Sequence, residues 1–311
     1  CSPGEQAEFR ITDYGARRDG PVNTEAIQSA IDACHEQGGG KVIIPTGTWY
    51  SGTIRLRSHV HLFLESGAVL KGSQHLEDFE HEGKRFGLLF AYNARNITIS
   101  GEGTIDGNGT LYHDADRPHV AKDFNREYIR QGNAYMKQGF DFSDGPIWKG
   151  ERPGMTLVLM HCESVAIRDL TIRDTPSWAL RIGDCDGVKI SGITIRNNLL
   201  VPNSDGIHCT HSRNITIDNC DIRAGDDALI VTGFGDDIGV DGDLDGEKSE
   251  KELSLYGNQT PYAENIVVTN CLLQSRSSGV RVGYRRQPIR NCTLSNLVIY
   301  GSNGGLGISA R

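Results

Sequence analysis

Three carboxylates stand where acid–base chemistry could use them: Asp205 in Asn203-Ser204-Asp205-Gly206, and Asp226 with Asp227 in Gly225-Asp226-Asp227-Ala228. Each motif runs into a short apolar stretch, and Asp205-Gly-Ile-His-Cys can be laid over Asp227-Ala-Leu-Ile-Val. If the two stretches are neighbouring strands, Asp205 stacks beside the Asp pair at the interstrand spacing of about 4.8 Å. Like charges at that range do not all ionise easily, and a carboxyl group that keeps its proton is what a general acid requires. Side chains of successive strand residues point to opposite faces, so Asp226 and Asp227 reach one cleft only from a bend before the strand. A single Asp after Gly or Ser reads as a solvated turn. Two such motifs in register read as a site.

The register comes from a recurring phrase: Asn96-Ile-Thr-Ile-Ser-Gly, Ser164-Val-Ala-Ile-Arg-Asp, Gly187-Val-Lys-Ile-Ser-Gly, Asn214-Ile-Thr-Ile-Asp-Asn, Asn265-Ile-Val-Val-Thr-Asn and Asn291-Cys-Thr-Leu-Ser-Asn. The last five copies start 23, 27, 51 and 26 residues apart. Period-two alternation inside each copy, as in Ile215 and Ile217 against Thr216 and Asp218, gives strands with one face in and one out. Repeats of this length stack as supersecondary units that bury a core only against their neighbours. The expected fold is all-β, a parallel β-helix over residues 9–311 after an N-terminal tail of residues 1–8. Asn23-Thr24-Glu25 caps a helix whose apolar positions are Ala26, Ile27, Ala30, Ile31 and Cys34, and Gly38-Gly39-Gly40 stops it. A lone helix ahead of a solenoid is its end cap. Insertions are expected at about 108–153, including a short helix at Phe124-Asn-Arg-Glu-Tyr-Ile-Arg-Gln, and at about 234–262. The strand-like pattern still running at Arg311 implies that the sequence continues or that another surface covers that end.

With 38 glycines, 23% charged residues and no long apolar run, the 311-residue chain is globular and has no membrane span. A net charge of −8 argues against nucleic acid and would repel an acidic glycan unless cations were gathered locally. Arg276, Arg281, Arg285, Arg286 and Arg290 are gathered in sequence. Cys162 and Cys185 hold equivalent places in successive repeats, as do Cys220 and Cys271, which predicts buried stacked thiols rather than disulfides. Cys1-Ser2-Pro3-Gly4 reads as a mature bacterial lipoprotein start, lipidated at Cys1. That implies export to the periplasm or outer-membrane surface, with secretion as the alternative and a membrane partner only through the anchor. Asp241, Asp243 and Asp245, with Gly246, Glu247 and Glu252, match a twelve-position calcium loop, although Lys248 replaces an apolar residue and Gly-rich flanks replace two helices. The expectation is a structural calcium, with no cofactor required for catalysis.

Over nearly its whole length the chain resembles glycoside hydrolase family 28, the polygalacturonases and their relatives. The resemblance rests on Gly103-Thr-Ile-Asp-Gly-Asn-Gly, Arg152-Pro153, Asp174-Thr-Pro-Ser-Trp178, Pro202-Asn-Ser-Asp-Gly206 and Gly225-Asp-Asp, in that order. It implies a right-handed β-helix and hydrolysis with inversion, with Asp226 as general acid, Asp205 and Asp227 holding and activating the water, and Asn203 at the substrate. Two family elements are absent. Ser277 stands where the family has His, and Gly307 and Ser309 stand where Arg and Lys help bind the substrate's carboxylate. Register puts Arg281 over Gly307, with Arg181 and His208 in the same outward column, so Arg281 is expected to supply a relocated anion site, with Arg276 nearby. The leading reading is an inverting, exo-acting glycosidase on a pectin-type or other uronic-acid-bearing glycan. A polysaccharide lyase on the same fold and a noncatalytic glycan-binding solenoid remain the alternatives.

Overall fold

The computed structural model describes residues 7–81, 84–118, 147–149, 151–201, 203–233, 262–283 and 288–309. Among the described residues three long parallel sheets of nine, eight and eight strands run side by side, joined corner to corner as a right-handed parallel β-helix. Each full turn contributes one strand to each sheet, and Glu8–Arg10 adds a ninth strand to the first. The recurring phrase lies in the nine-stranded sheet, where Ile97, Val165, Val188, Ile215, Ile266 and Cys292 align. A second inward column, Ile105, Ile172, Ile195, Ile222, Leu273 and Ile299, lines one of the eight-stranded sheets. The other eight-stranded sheet, called the site sheet below, adds Leu89, Leu157, Leu180, Ile207, Leu229 and Val280. Together these columns form one continuous buried core.

The helix spans Thr24–Glu36 and buries Ile27, Ala30, Ile31 and Cys34 against the first turns. Asn23 sits at its N-cap, but its side chain makes no cap bond. Its Oδ1 accepts from the Arg17 N–H at 2.7 Å and its Nδ2 donates to Pro21 O at 2.9 Å, so it closes the preceding loop instead. The first strand is Glu8–Arg10, and Ile11–Tyr14 forms a 3₁₀ turn. Parallel pairing of Glu8 with Lys41 starts the ladder one residue before the expected boundary. The strand Gly47–Ser51 pairs in parallel with Ala68–Gly72. Cys1, the helix expected at Phe124–Gln131, and the calcium-loop residues Asp241, Asp243, Asp245, Glu247 and Glu252 lie outside the described residues.

The Asn that opens so many repeats has a physical role. Asn214, Asn265 and Asn291 adopt left-handed backbone conformations with φ of 55°, 57° and 54°, which Asn tolerates better than most residues. Their amides form a ladder along the axis: Asn291 Nδ2 donates to Asn265 Oδ1 at 3.1 Å, and Asn265 Nδ2 to Asn214 Oδ1 at 3.0 Å. All the described cysteines from Cys34 to Cys292 are free thiols. Cys162 and Cys185 are stacked, the Cys162 N–H donating to Cys185 Sγ at 3.4 Å. Among the described residues no helix is long and apolar enough to cross a membrane.

Asn265→Ala removes two ladder bonds and places Ala at positive φ, so a stability loss of about 1–3 kcal/mol is expected. Asn265→Gly loses the same bonds but tolerates the backbone, and its loss is smaller. Thermal denaturation of the two variants beside the parent checks both; equal Tm values for Ala and Gly would refute the backbone part of the account.

Candidate active site

The site sheet carries Ile207–Thr210, Leu229–Thr232 and Ser278–Val282 as successive strands. Ile207 pairs with Leu229, so Asp205 and Asp227 occupy equivalent places one turn apart, and the Gly206 N–H donates to Asp227 O at 2.9 Å. Asp226 and Asp227 lie in the bend before Leu229 rather than in the strand. Both therefore turn to the same side as Asp205. Asp205, Asp226 and Asp227 each offer an oxygen within 4.8 Å of the others, and the three residues are 5%, 2% and 1% exposed. The three carboxylates are thus gathered at one place, with their nearest oxygens in reach of one small group. The reason is the rung spacing itself, which sets how far apart side chains on adjacent turns can stand.

Small residues make the bend possible. A Cβ on Gly225 would collide with Val201 O and Ser204 Oγ, and one on Gly206 with Ala228 O. Ser204 Oγ donates to Val201 O at 2.8 Å and accepts from the Gly225 N–H at 3.1 Å, tying one Asp motif to the next. Asn197 supports the same corner: its Nδ2 donates to Ser204 O at 3.1 Å, and its Oδ1 accepts from the Thr175 N–H at 3.2 Å. Asp226 Oδ1 accepts from the Asp227 N–H at 2.9 Å. Asp227 Oδ1 accepts from the Ser278 N–H at 2.8 Å, and its Oδ2 lies 2.5 Å from Arg281 Nη2. Such a cluster of acids could hold a cation, but a guanidinium stands against one oxygen of this one.

The expected outward column is present: Val158, Arg181, His208, Ile230, Arg281 and Gly307 succeed one another in register. The Arg281 guanidinium is turned onto Asp227. Arg181 is fully buried. His208 packs edge-on against Trp178 with ring centroids 3.6 Å apart. Burial, reinforced by the positive fields of Arg281 and Arg181, pushes His208 well below the usual imidazole range. Arg276 is half-buried and its N–H donates to Ala224 O at 3.2 Å, which puts it one turn beyond the Asp226 bend. Asn203 adopts φ of 54° just ahead of Asp205. Arg290 belongs to the nine-stranded sheet, where it lies over the Tyr262 ring, while Arg285 and Arg286 fall outside the described residues. The arginine cluster in sequence is thus divided between faces.

Sequence reasoning missed Ser278, Ser204 and Asn197 as supports of the acids; their contacts cross between turns and have no pattern along the chain. It also missed a second apolar cluster, built outside the solenoid from Phe90, Met155, Val158, Met160 and Trp178. Phe90 and Val158 occupy the two rungs directly before Arg181 in the outward column.

With this geometry in place, the comparisons are specific. The Glycosyl hydrolases family 28 model matches residues 131–283, a span that includes all three aspartates, Ser278 and Arg281. Over that span the chain is similar to members of that family. A probable polygalacturonase of Vitis vinifera is 29% identical over 250 residues, covering 74% of this chain and 45% of the relative. An exo-poly-alpha-D-galacturonosidase of Dickeya chrysanthemi is 28% identical over 260 residues, with 74% and 42% covered. The chain therefore spans less than half the length of these two curated relatives. In structure it is similar to a hyperthermoactive exopolygalacturonase of Thermotoga maritima, with a TM-score of 0.71 at 22% identity over 98% of this chain and 70% of that one. That likeness shows the fold.

The histidines give a pH prediction. His61, donor or acceptor to Ser100 Oγ at 2.7 Å, is pushed down to about 4 by burial and by Arg168 and Lys41. The unfolded chain titrates these imidazoles near 6.5. Below that value the unfolded state takes up protons that folded His61 and His208 refuse, so stability falls with pH from about 6.5 toward 4. Tm measured across that window should drop, and His61→Gln should flatten the slope.

Proposed function

We propose that the chain is a glycoside hydrolase that acts with inversion, from a chain end, on a pectin-type glycan bearing uronic acid. The observation that carries this reading is the cluster of three buried aspartates, brought together by stacked turns with an oxygen of each within 4.8 Å of the others. Asp226 serves as the general acid toward the leaving oxygen. Asp205 and Asp227, on adjacent turns, hold the attacking water and take its proton. A third carboxylate favours the water reading, because a covalent nucleophile needs no second acceptor beside it. The general acid must carry its proton before bond cleavage.

End-on action is supported by the external apolar cluster, which occupies the rungs just before Arg181 and would limit how far a glycan extends along that face. The exo-acting relative from Dickeya chrysanthemi agrees with this reading. Arg276, beside the Asp226 bend, is the cation we assign to the uronate, since a planar guanidinium pairs two oxygens of a carboxylate. Asn203 and His208 line the same approach, His208 as a neutral hydrogen-bonding group.

Incubation with pectin-derived oligosaccharides, with the released sugar followed by NMR, tests the whole reading. The first-formed anomer should be inverted, and no unsaturated product absorbing in the near ultraviolet should appear; a retained anomer or an unsaturated product overturns it. Asp226→Asn should lower kcat by orders of magnitude with Tm little changed. Arg276→Ala should raise KM about tenfold or more on a uronate substrate, the loss of a charged hydrogen bond of about 1.5–3 kcal/mol.

A further inference from the structure

Arg281 is the charged group that the implied catalytic scheme does not use. It belongs to the strand Ser278–Val282, directly after Ile230 in the outward column, and Asp227 precedes Ile230 by one bend. Its side chain reaches back across one turn, and Nη2 comes within 2.5 Å of Asp227 Oδ2 with the pair only 12% and 1% exposed. The other oxygen of Asp227 accepts from the Ser278 N–H at 2.8 Å. One turn thus supplies both contacts. A carboxylate with an N–H donor on one oxygen and a guanidinium charge against the other is restrained in its plane. The neighbouring place where the family carries a His is filled by Ser277, whose N–H donates to Ser275 Oγ at 2.8 Å and whose short side chain is buried. The next residue in the column is Gly307, which offers no side chain to draw the guanidinium elsewhere.

We propose that Arg281 is a positioning residue: with the Ser278 N–H it clamps Asp227 in the orientation and acceptor role that water activation requires, and it does not bind the substrate. This rests on the hydrolase reading above, and it separates two jobs that one arginine cluster might be given. Arg276 recognises the uronate; Arg281 aims the base. Because the clamp acts on a reacting group rather than on substrate affinity, its loss falls on kcat. A displacement of about 1 Å at a catalytic group costs about a hundredfold in rate.

The test compares the parent with Arg281→Ala, Arg281→Lys and the control Arg290→Ala on pectin-derived oligosaccharides, together with crystal structures of the parent and the Ala variant. The expected result is a fall in kcat of about a hundredfold for Arg281→Ala with KM changed less than about threefold. Arg281→Lys should retain part of the rate, millimolar guanidinium should raise the rate of Arg281→Ala but not of the parent, and Arg290→Ala should match the parent. The crystals should show the Asp227 carboxylate rotated when the guanidinium is gone. A rise in KM with kcat kept, or an Asp227 pose and rate unchanged in Arg281→Ala, overturns the inference. If the parent proves inactive on every glycan, the hydrolase reading fails separately, and the pose of Asp227 in the two crystals still decides the clamp.

Discussion

Parallel backbone pairing carried from one turn to the next without a slip sets every distance that matters in this molecule. Ile207 pairs with Leu229 and Leu229 with Val280. Two bends and a strand from three separate parts of the chain therefore meet at a separation fixed by hydrogen-bond length. No loop has to fold over to bring Asp205 beside Asp227. The same pairing forces carboxylates together at a range where they repel, and the surrounding donors offset part of that cost. The aliphatic columns inside the solenoid supply the burial that holds this arrangement, since each turn covers its neighbours' apolar face.

Much of this was legible in the sequence because a repeat is a coordinate system. Counting from the recurring phrase was enough to place Asp205 over Asp227, Arg281 over Gly307, and Arg181 and His208 in one column. The buried face of the capping helix follows from Ile27, Ala30, Ile31 and Cys34 for the same reason. Register says which residues share a column, but it does not say where a long side chain turns. Arg281 could as well have faced a ligand; its contact with Asp227 depends on the depth of the bend, which Gly225 and Ser204 set through clashes and bonds across turns.

Proximity along the chain misled where a corner intervenes. Arg276, Arg281 and Arg290 look like one cationic patch, yet the solenoid bends between them and leaves Arg290 against Tyr262 on another sheet. The external apolar cluster was hidden for a related reason. Phe90, Val158 and Met160 alternate as strand residues should, and an outward apolar position is indistinguishable from an inward one until the neighbouring strands fix the phase.

The ladder of the nine-stranded sheet crosses a 51-residue interval between Asn214 and Asn265 without losing phase: Arg213 still pairs with Glu264, and Asp218 with Thr269. The chain departs after Gly233 and rejoins by Ala263 as though the intervening segment were not there. Mechanically, the scaffold is insulated from whatever is spliced between its turns. The length of chain between two turns can therefore vary without moving the rungs, because their phase is set by pairing between neighbouring strands.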